Sequence, residues 1–313
     1  MIICILLLAL ILRLFGIEWD GGYHLHPDER MLVMVAQRIT FFSQLDPQFF
    51  NYGSLPVYLL SGITQAADAF FHTNLATYGG QLYVGRILSA LFDTGSVILV
   101  YLIAQRLWKN QQVALWGSLA YAIAVFPIQN SHFFVVDPLL TFFFIALLHQ
   151  LITYLQEKRP NVTSIICIAI ICAAAITTKF TGILFVPIAG IVIIYKHWEN
   201  MGSILTLLLL FGLTNVGLCL LFMPYAFIHL PQFISDISLQ LRMNNNAYIF
   251  PYTLQYVGTT AYWYPLKNIV LWGLGPVYAL LAFYGIAHTI RHHAKDHHRI
   301  LHLLILGSAF LYF

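Results

Sequence analysis

The chain has 313 residues, 60% of them hydrophobic and only 9% charged, with a mean hydropathy of +0.78 and a net charge of +3 at pH 7. Soluble globular domains carry about 25% charged residues, so a water-soluble fold is excluded, and an aromatic share of 15% excludes disorder. No basic cluster is interleaved with aromatics, so nucleic acid is not an expected partner, and Cys4, Cys167, Cys172 and Cys219 lie in apolar runs as small core residues.

In lipid every backbone N–H and C=O must be satisfied within its own segment, so long apolar runs read as helices. They cover 2–17, 82–108, 113–128, 133–155, 164–178, 180–195, 204–223, 268–290 and 300–313. At about 20 residues per span this predicts an all-α polytopic membrane protein, a single domain over 1–313 with about nine transmembrane helices. Two long polar segments, 18–81 and 224–267, interrupt the pattern and are expected to carry interfacial helices. The first run lacks a positive flank, and Phe15-Gly16-Ile17 is a poor cleavage site, so it reads as an uncleaved helix rather than a signal peptide. The last run gives about 21 Å of helix against a core of about 30 Å, which predicts truncation at the carboxy terminus.

Basic residues in short loops set the orientation. Alternate connections hold Arg106, Lys109, Lys158, Arg159, Lys196, Arg291, Lys295 and Arg299 against Glu157, Glu199 and Asp296. That side is expected to be cytoplasmic, which places both long segments, and most carboxylates, outside.

The first external segment opens on His26-Pro27-Asp28-Glu29-Arg30. Pro27 disfavours helix at His26 and favours a helix start at itself, so Asp28 and Glu29 belong to a first turn. The helix dipole favours negative charge there, which suits a general base, a cation ligand or an ordinary solvated helix start. Asn51-Tyr52-Gly53-Ser54-Leu55-Pro56 reads as a turn feeding an interfacial helix, structural or functional. In the second span Arg86 and Asp93 lie two turns apart and face inward. A charge at that depth costs at least about 2.5–3.5 kcal/mol, so each needs a role or a partner, whether one another or Arg13. Arg86 is near the external end, within reach of a phosphate.

The hairpin after the third span carries Asn130-Ser131-His132 and Val135-Val136-Asp137-Pro138, with Asp137 as a helix cap or a second acidic site. Thr177-Thr178-Lys179-Phe180-Thr181-Gly182 closes the fifth span, where Lys179 either snorkels or grips an anionic headgroup. Tyr248, Tyr252, Tyr256, Tyr262, Trp263 and Tyr264 read first as an interfacial belt and second as sugar-stacking rings. The pairs His288/His292, His293/His297 and His298/His302 have zinc-like spacing but sit among Arg and Lys, as a basic interfacial loop does. The sequon Asn161-Val162-Thr163 falls in a cytoplasmic loop. A transporter or lipid flippase, the alternative class, needs ionisable groups inside the later spans, and 180–195 and 204–223 contain none.

In this order the motifs resemble the GT-C superfamily of integral-membrane glycosyltransferases, closest to the protein O-mannosyltransferases and the aminoarabinose or undecaprenyl-sugar transferases. The resemblance is carried by Asp28-Glu29, by an R-x-x-S-A-L stretch at 86–91, by D-P-L-L at 137–140 and by a T-K-F-T-G at 178–182. The aminoarabinose transferases carry a lysine in a Y-x-K-P-P-L-like stretch, where this chain has Tyr52-Gly53-Ser54-Leu55-Pro56 and no cation. The resemblance implies inverting transfer of a sugar from a polyprenyl-phosphate carrier to an acceptor hydroxyl outside the cytoplasm. The acceptor is a protein, lipid or glycan of the cell envelope. It implies Asp28 as general base, Glu29 beside it, Asp137 as a second acidic or acceptor site, and Arg86 and Lys179 on the donor phosphate. His26, His132 and Tyr52 are secondary candidates. Other branches of the superfamily use a divalent cation, so one held by Asp28 and Asp137 is left open.

Overall fold

The computed structural model describes residues 1–157 and 162–293. Lys158, Arg159, the sequon Asn161, the side chains of the histidine pairs beyond residue 291 and the run 300–313 lie outside them. Among the described residues the fold is all helical, with no named strand. Its helices are α1 (Ile2–Leu14), α2 (Pro27–Ala36), α3 (Leu55–Phe71), α4 (Tyr78–Trp108), α5 (Gln111–Ala122), α6 (Val125–Ser131) and α7 (Val136–Gln156). There follow α8 (Val162–Thr178), α9 (Phe185–Lys196), α10 (Met201–Phe222), α11 (Pro224–Ile228), α12 (Leu230–Asn245), α13 (Trp263–Asn268) and α14 (Pro276–His293).

Three helices, α4, α7 and α10, are long and apolar enough to cross a membrane, and up to five spans result if each of two bent pairs counts as one. The run expected over 113–128 bends by 55° between α5 and α6, and the run expected over 268–290 turns by 115°. The second break falls at Gly275, at φ +81°, followed by Pro276: a left-handed glycine and a residue without an N–H cannot continue a straight helix. Helices α1, α8 and α9 are shorter apolar helices.

Residues 1–123 with 127–240 form one compact unit. Tight capping makes its neighbours antiparallel. Lys109 ends α4 in the left-handed region, and the Asn110 side chain at once accepts hydrogen bonds from the Gln112 and Val113 amides to start α5. Helix α4 packs on α1, α5 and α7, and α8 is held between α7 and α10. Ala169, Cys172, Ala173 and Ala175 are buried on α8, and such small side chains let neighbouring helices approach where lipid gives no hydrophobic drive. Asp93 does not pair with Arg86. Its Oδ2 lies 2.5 Å from Arg13 Nε and its Oδ1 accepts from the Tyr121 hydroxyl at 2.7 Å, so one buried pair joins α1, α4 and α5.

Apart from the buried Arg13–Asp93 pair, the polar groups described below lie at two ends of the first unit. At one, Lys196 donates to the Tyr154 and Glu157 carbonyls, and Ser164 to the Glu157 carboxylate at 2.6 Å. At the other, the starts of α4 and α7 meet the ends of α1, α8 and α10, covered by α2 and α3. The second unit, 124–126 with the residues from 241 on, contains α13 and α14. Its Tyr248, Tyr252, Tyr262 and Trp263 are largely exposed.

Candidate active site at one end of the bundle

The first group is built around Arg86. Its guanidinium is fully buried and all five N–H donors are used. Nε donates to Glu29 Oε1 at 2.9 Å and Nη2 to Glu29 Oε2 at 2.7 Å. Nη1 and Nη2 bind Asp20 Oδ1 and Oδ2 at 3.1 and 2.8 Å, and Nη1 also binds the Ile17 carbonyl at 2.7 Å. Such planar two-pronged pairing is what the rigid guanidinium supplies and an ammonium does not. Trp19 lies over the guanidinium, 5.5 Å from its ring centre.

This arrangement changes two roles expected from the sequence. Arg86 has no donor left for a phosphate. Glu29 is buried, its Oε1 also accepting from the Phe134 amide at 2.8 Å, so it does not share the open position of Asp28. Asp20 is the member that sequence reasoning missed. Its oxygens accept from the Gly22 and Leu25 amides as well, folding the 20–25 loop around the carboxylate. The Arg86 hydrogen bonds hold the Asp20 pKa down at about 2 against the cost of burial. The available signal was local: a lone Asp before Gly21-Gly22, just past the first apolar run.

Asp28 is one residue from this anchor. Helix α2 starts as the proline pattern predicts, with Pro27 in its first turn and His26 as its cap, its Nδ1 3.5 Å from the Glu29 amide. The His26 ring rests on Phe133, at 4.4 Å between centroids. Asp28 is half-buried, and no hydrogen bond or ion pair holds its carboxylate among the described residues. It is therefore the carboxylate of the pair without an ion-pair partner among the described residues.

The second group pairs Lys179 with Asp137, Nζ to Oδ1 at 3.0 Å, both partly exposed. Asp137 sits in the first turn of α7, whose cap position is Val135, so it is not the helix cap. Lys179 is a single extended residue between α8 and a 3₁₀ turn, Phe180–Leu184. Gly182 lets that turn fold back on α8, because a Cβ there would lie 2.5 Å from the Ala175 carbonyl carbon. Gly53 plays the same part from the other side: its amide donates to the Thr178 carbonyl at 3.1 Å, and a Cβ would lie 1.9 Å from the Thr177 oxygen. The turn carrying Tyr52 is thus docked on the end of α8, with Tyr52 packed against the cluster of Leu32, Val33, Val57 and Leu60.

The two groups are coupled through residues 134–137. Phe134 is bound by Glu29, Val136 packs with Leu32 and Val33, and Asp137 follows. Three residues span at most about 11 Å, which bounds the Cα separation of Phe134 and Asp137. His132 fastens the same hairpin to α1: Nδ1 faces the Ile128 carbonyl at 2.7 Å and Nε2 the Phe15 carbonyl at 2.8 Å. His132 thus ties the hairpin down through the ring nitrogen that carries the proton.

Among the described residues no three His, Cys, Asp or Glu side chains gather to hold a metal ion, and Asp137 is paired with the Lys179 ammonium.

Three helices of spanning length, with a gathered set of acids and bases at one end, define a helical membrane protein. The chain belongs to the dolichyl-phosphate-mannose-protein mannosyltransferase family, whose model matches residues 48–239, and so to the GT-C glycosyltransferases. It is 25% identical over 230 residues to undecaprenyl phosphate-alpha-4-amino-4-deoxy-L-arabinose arabinosyl transferase 1 of Pseudomonas fluorescens, covering 70% of this chain and 40% of that protein. It is 27% identical over 152 residues to the corresponding transferase of Erwinia tasmaniensis, covering 48% and 27%. The chain therefore spans less than half the length of these relatives. The archaeal oligosaccharyltransferase AglB from Archaeoglobus fulgidus, solved with an inhibitory peptide and a dolichol-phosphate, shares the fold at a TM-score of 0.61 and 13% identity, over 99% of this chain and 46% of that one. The S. cerevisiae protein O-mannosyltransferase Pmt1-Pmt2 complex bound to the sugar donor gives 0.51 at 18% identity, over 74% and 33%.

Proposed function

We propose that this chain transfers a sugar from a polyprenyl-phosphate carrier to an acceptor hydroxyl, with inversion, at the extracytoplasmic face of the membrane. About nine spans would place the polar end described above on that face. The observation that carries the reading is the division of labour there. Asp28, beside a rigid charge cluster, has no hydrogen bond or ion pair on its carboxylate among the described residues, and a partly exposed cation, Lys179, belongs to the same end of the bundle.

Each group has a task. Asp28 takes the proton of the acceptor hydroxyl as it attacks the anomeric carbon. The bond from that carbon to the carrier phosphate breaks, and the phosphate leaves with the electron pair. Lys179 stabilises the developing negative charge, with Asp137 holding the ammonium in place. Arg86, Glu29 and Asp20 fix the start of α2 so that Asp28 stays in register. The carrier's lipid tail arrives sideways through the bilayer, which is why a helical bundle with its site at one end suits the reaction.

The test is an assay of membranes or nanodiscs supplied with defined polyprenyl-phosphate sugars, with products read by mass spectrometry. Asp28→Asn should reduce transfer by about 10²–10⁴-fold, the usual contribution of a general base, while carrier binding persists. Unchanged turnover removes Asp28 from the role.

A further inference from the structure

Next to the groups already assigned, a second polar pair joins residues 183 positions apart: His229 Nε2 lies 3.0 Å from Asp46 Oδ2. Both ends of the pair are built. The other Asp46 oxygen accepts from the Gln48 amide at 3.0 Å, with Gln48 in the left-handed region at φ +48°, a conformation unusual for a residue with a Cβ. The Tyr58 hydroxyl anchors the same loop on the Leu45 carbonyl at 2.8 Å. His229 lies nearly parallel to Tyr225, at 18° with 6.2 Å between centroids, and is backed by the buried Phe50 at 6.4 Å. Edge contacts run on from Phe50 to Phe233 and from Phe233 to Phe180, the neighbour of Lys179, so this pair belongs to the same end of the bundle.

The His229 side chain keeps 42% of its surface exposed, against 14% for Asp46. In the neutral tautomer that donates Nε2–H to Asp46, Nδ1 is the acceptor nitrogen; no described residue hydrogen-bonds to it. No Lys or Arg among the described residues is paired with either partner. In that tautomer the imidazole, held by a carboxylate, offers an acceptor to a hydroxyl donor. Beside it the half-buried Tyr225, nearly parallel to His229, is an aromatic ring of the kind that covers the C–H side of a pyranose.

We propose that His229, oriented by Asp46, binds a hydroxyl of a sugar ring seated against Tyr225. The proposal rests on the sugar-transfer reading above and adds a ring-binding position to it. The sugar comes from the donor or from a glycan acceptor.

Two variants separate binding from a purely structural pin. His229→Gln keeps an amide donor where Nε2 stood, and so the link to Asp46, but removes the second nitrogen. His229→Asn places a carbonyl oxygen near the position of Nδ1 and gives up Asp46. The full chain in nanodiscs is titrated with methyl α-D-mannopyranoside and read by saturation-transfer NMR, with the thermal midpoint as a folding control. Wild type should show transfer to the sugar, His229→Gln should lose it by about five-fold, as removal of one hydrogen bond predicts, and His229→Asn should retain most of it. Competition by polyprenyl-phosphate-mannose assigns the position to the donor sugar, and persistence in its presence assigns it to an acceptor sugar; either upholds the site. No signal in wild type, an unchanged signal in His229→Gln, or loss in His229→Asn with retention in His229→Gln overturns it. If saturation transfer persists but mannose is never released from its carrier, the catalytic reading fails and the sugar site stands.

Discussion

Arg86 and Lys179 bear the same formal charge in different surroundings, and their substitutions should separate stability from activity. Removing Arg86 leaves two carboxylates buried without a counter-ion, so Arg86→Met should destabilise the fold by about 3–5 kcal/mol, seen as a lowered unfolding midpoint in detergent. Lys179 and Asp137 are partly exposed, and pairs of that kind contribute about 0–1 kcal/mol. Lys179→Ala should therefore leave the midpoint nearly unchanged while abolishing use of the carrier. A midpoint drop as large as that of Arg86→Met would reassign Lys179 to structure.

Asp20 gives a pH test. Its pKa is about 2 when folded, below the ordinary 3.8, so the folded state holds fewer protons on it than the unfolded state does between those values. Its contribution is thus complete above about pH 4 and is lost as pH falls through about 2. The wild-type midpoint should drop across that window, and Asp20→Asn should flatten part of the slope. At this scale the sequence carried Asp28, because a proline at a helix start has local consequences. It did not reveal that Glu29 turns inward, since that depends on Arg86, 57 positions away.

At the scale of elements, the site depends on backbones that meet without side chains between them. Gly53→Ala puts a methyl group inside the Thr177 carbonyl. It should push the 51–56 turn off α8 at a cost of about 1–3 kcal/mol, and raise the carrier concentration needed for half-maximal turnover by displacing Lys179. Gly190→Ala, with nothing near its Cβ position, is the matched control and should change neither. The apolar runs predicted most helices well, because in lipid an apolar run has no alternative to intrasegment hydrogen bonds. Two runs were not straight. Gly275-Pro276 was readable as a break, yet apolar content alone hid it.

For the molecule as a whole, the expected orientation can be measured. Tyr23 is exposed beside the Asp20 loop, at the site end, and Lys109 is exposed in the α4–α5 turn. Cysteine at position 23, in a background lacking native cysteines, should react with a membrane-impermeant maleimide added to intact cells, and cysteine at 109 only after lysis. The reverse pattern would place the site in the cytoplasm. By itself the sequence determined the solvent, the helical class and the short motifs, because hydropathy, proline and glycine act within a few residues of themselves. Only the tertiary structure decided which charges meet. Polar contacts join residues as far apart as Asp46 and His229, and a fixed guanidinium spends its donors on whichever carboxylates the packing brings to it, here Asp20 and Glu29 rather than a phosphate.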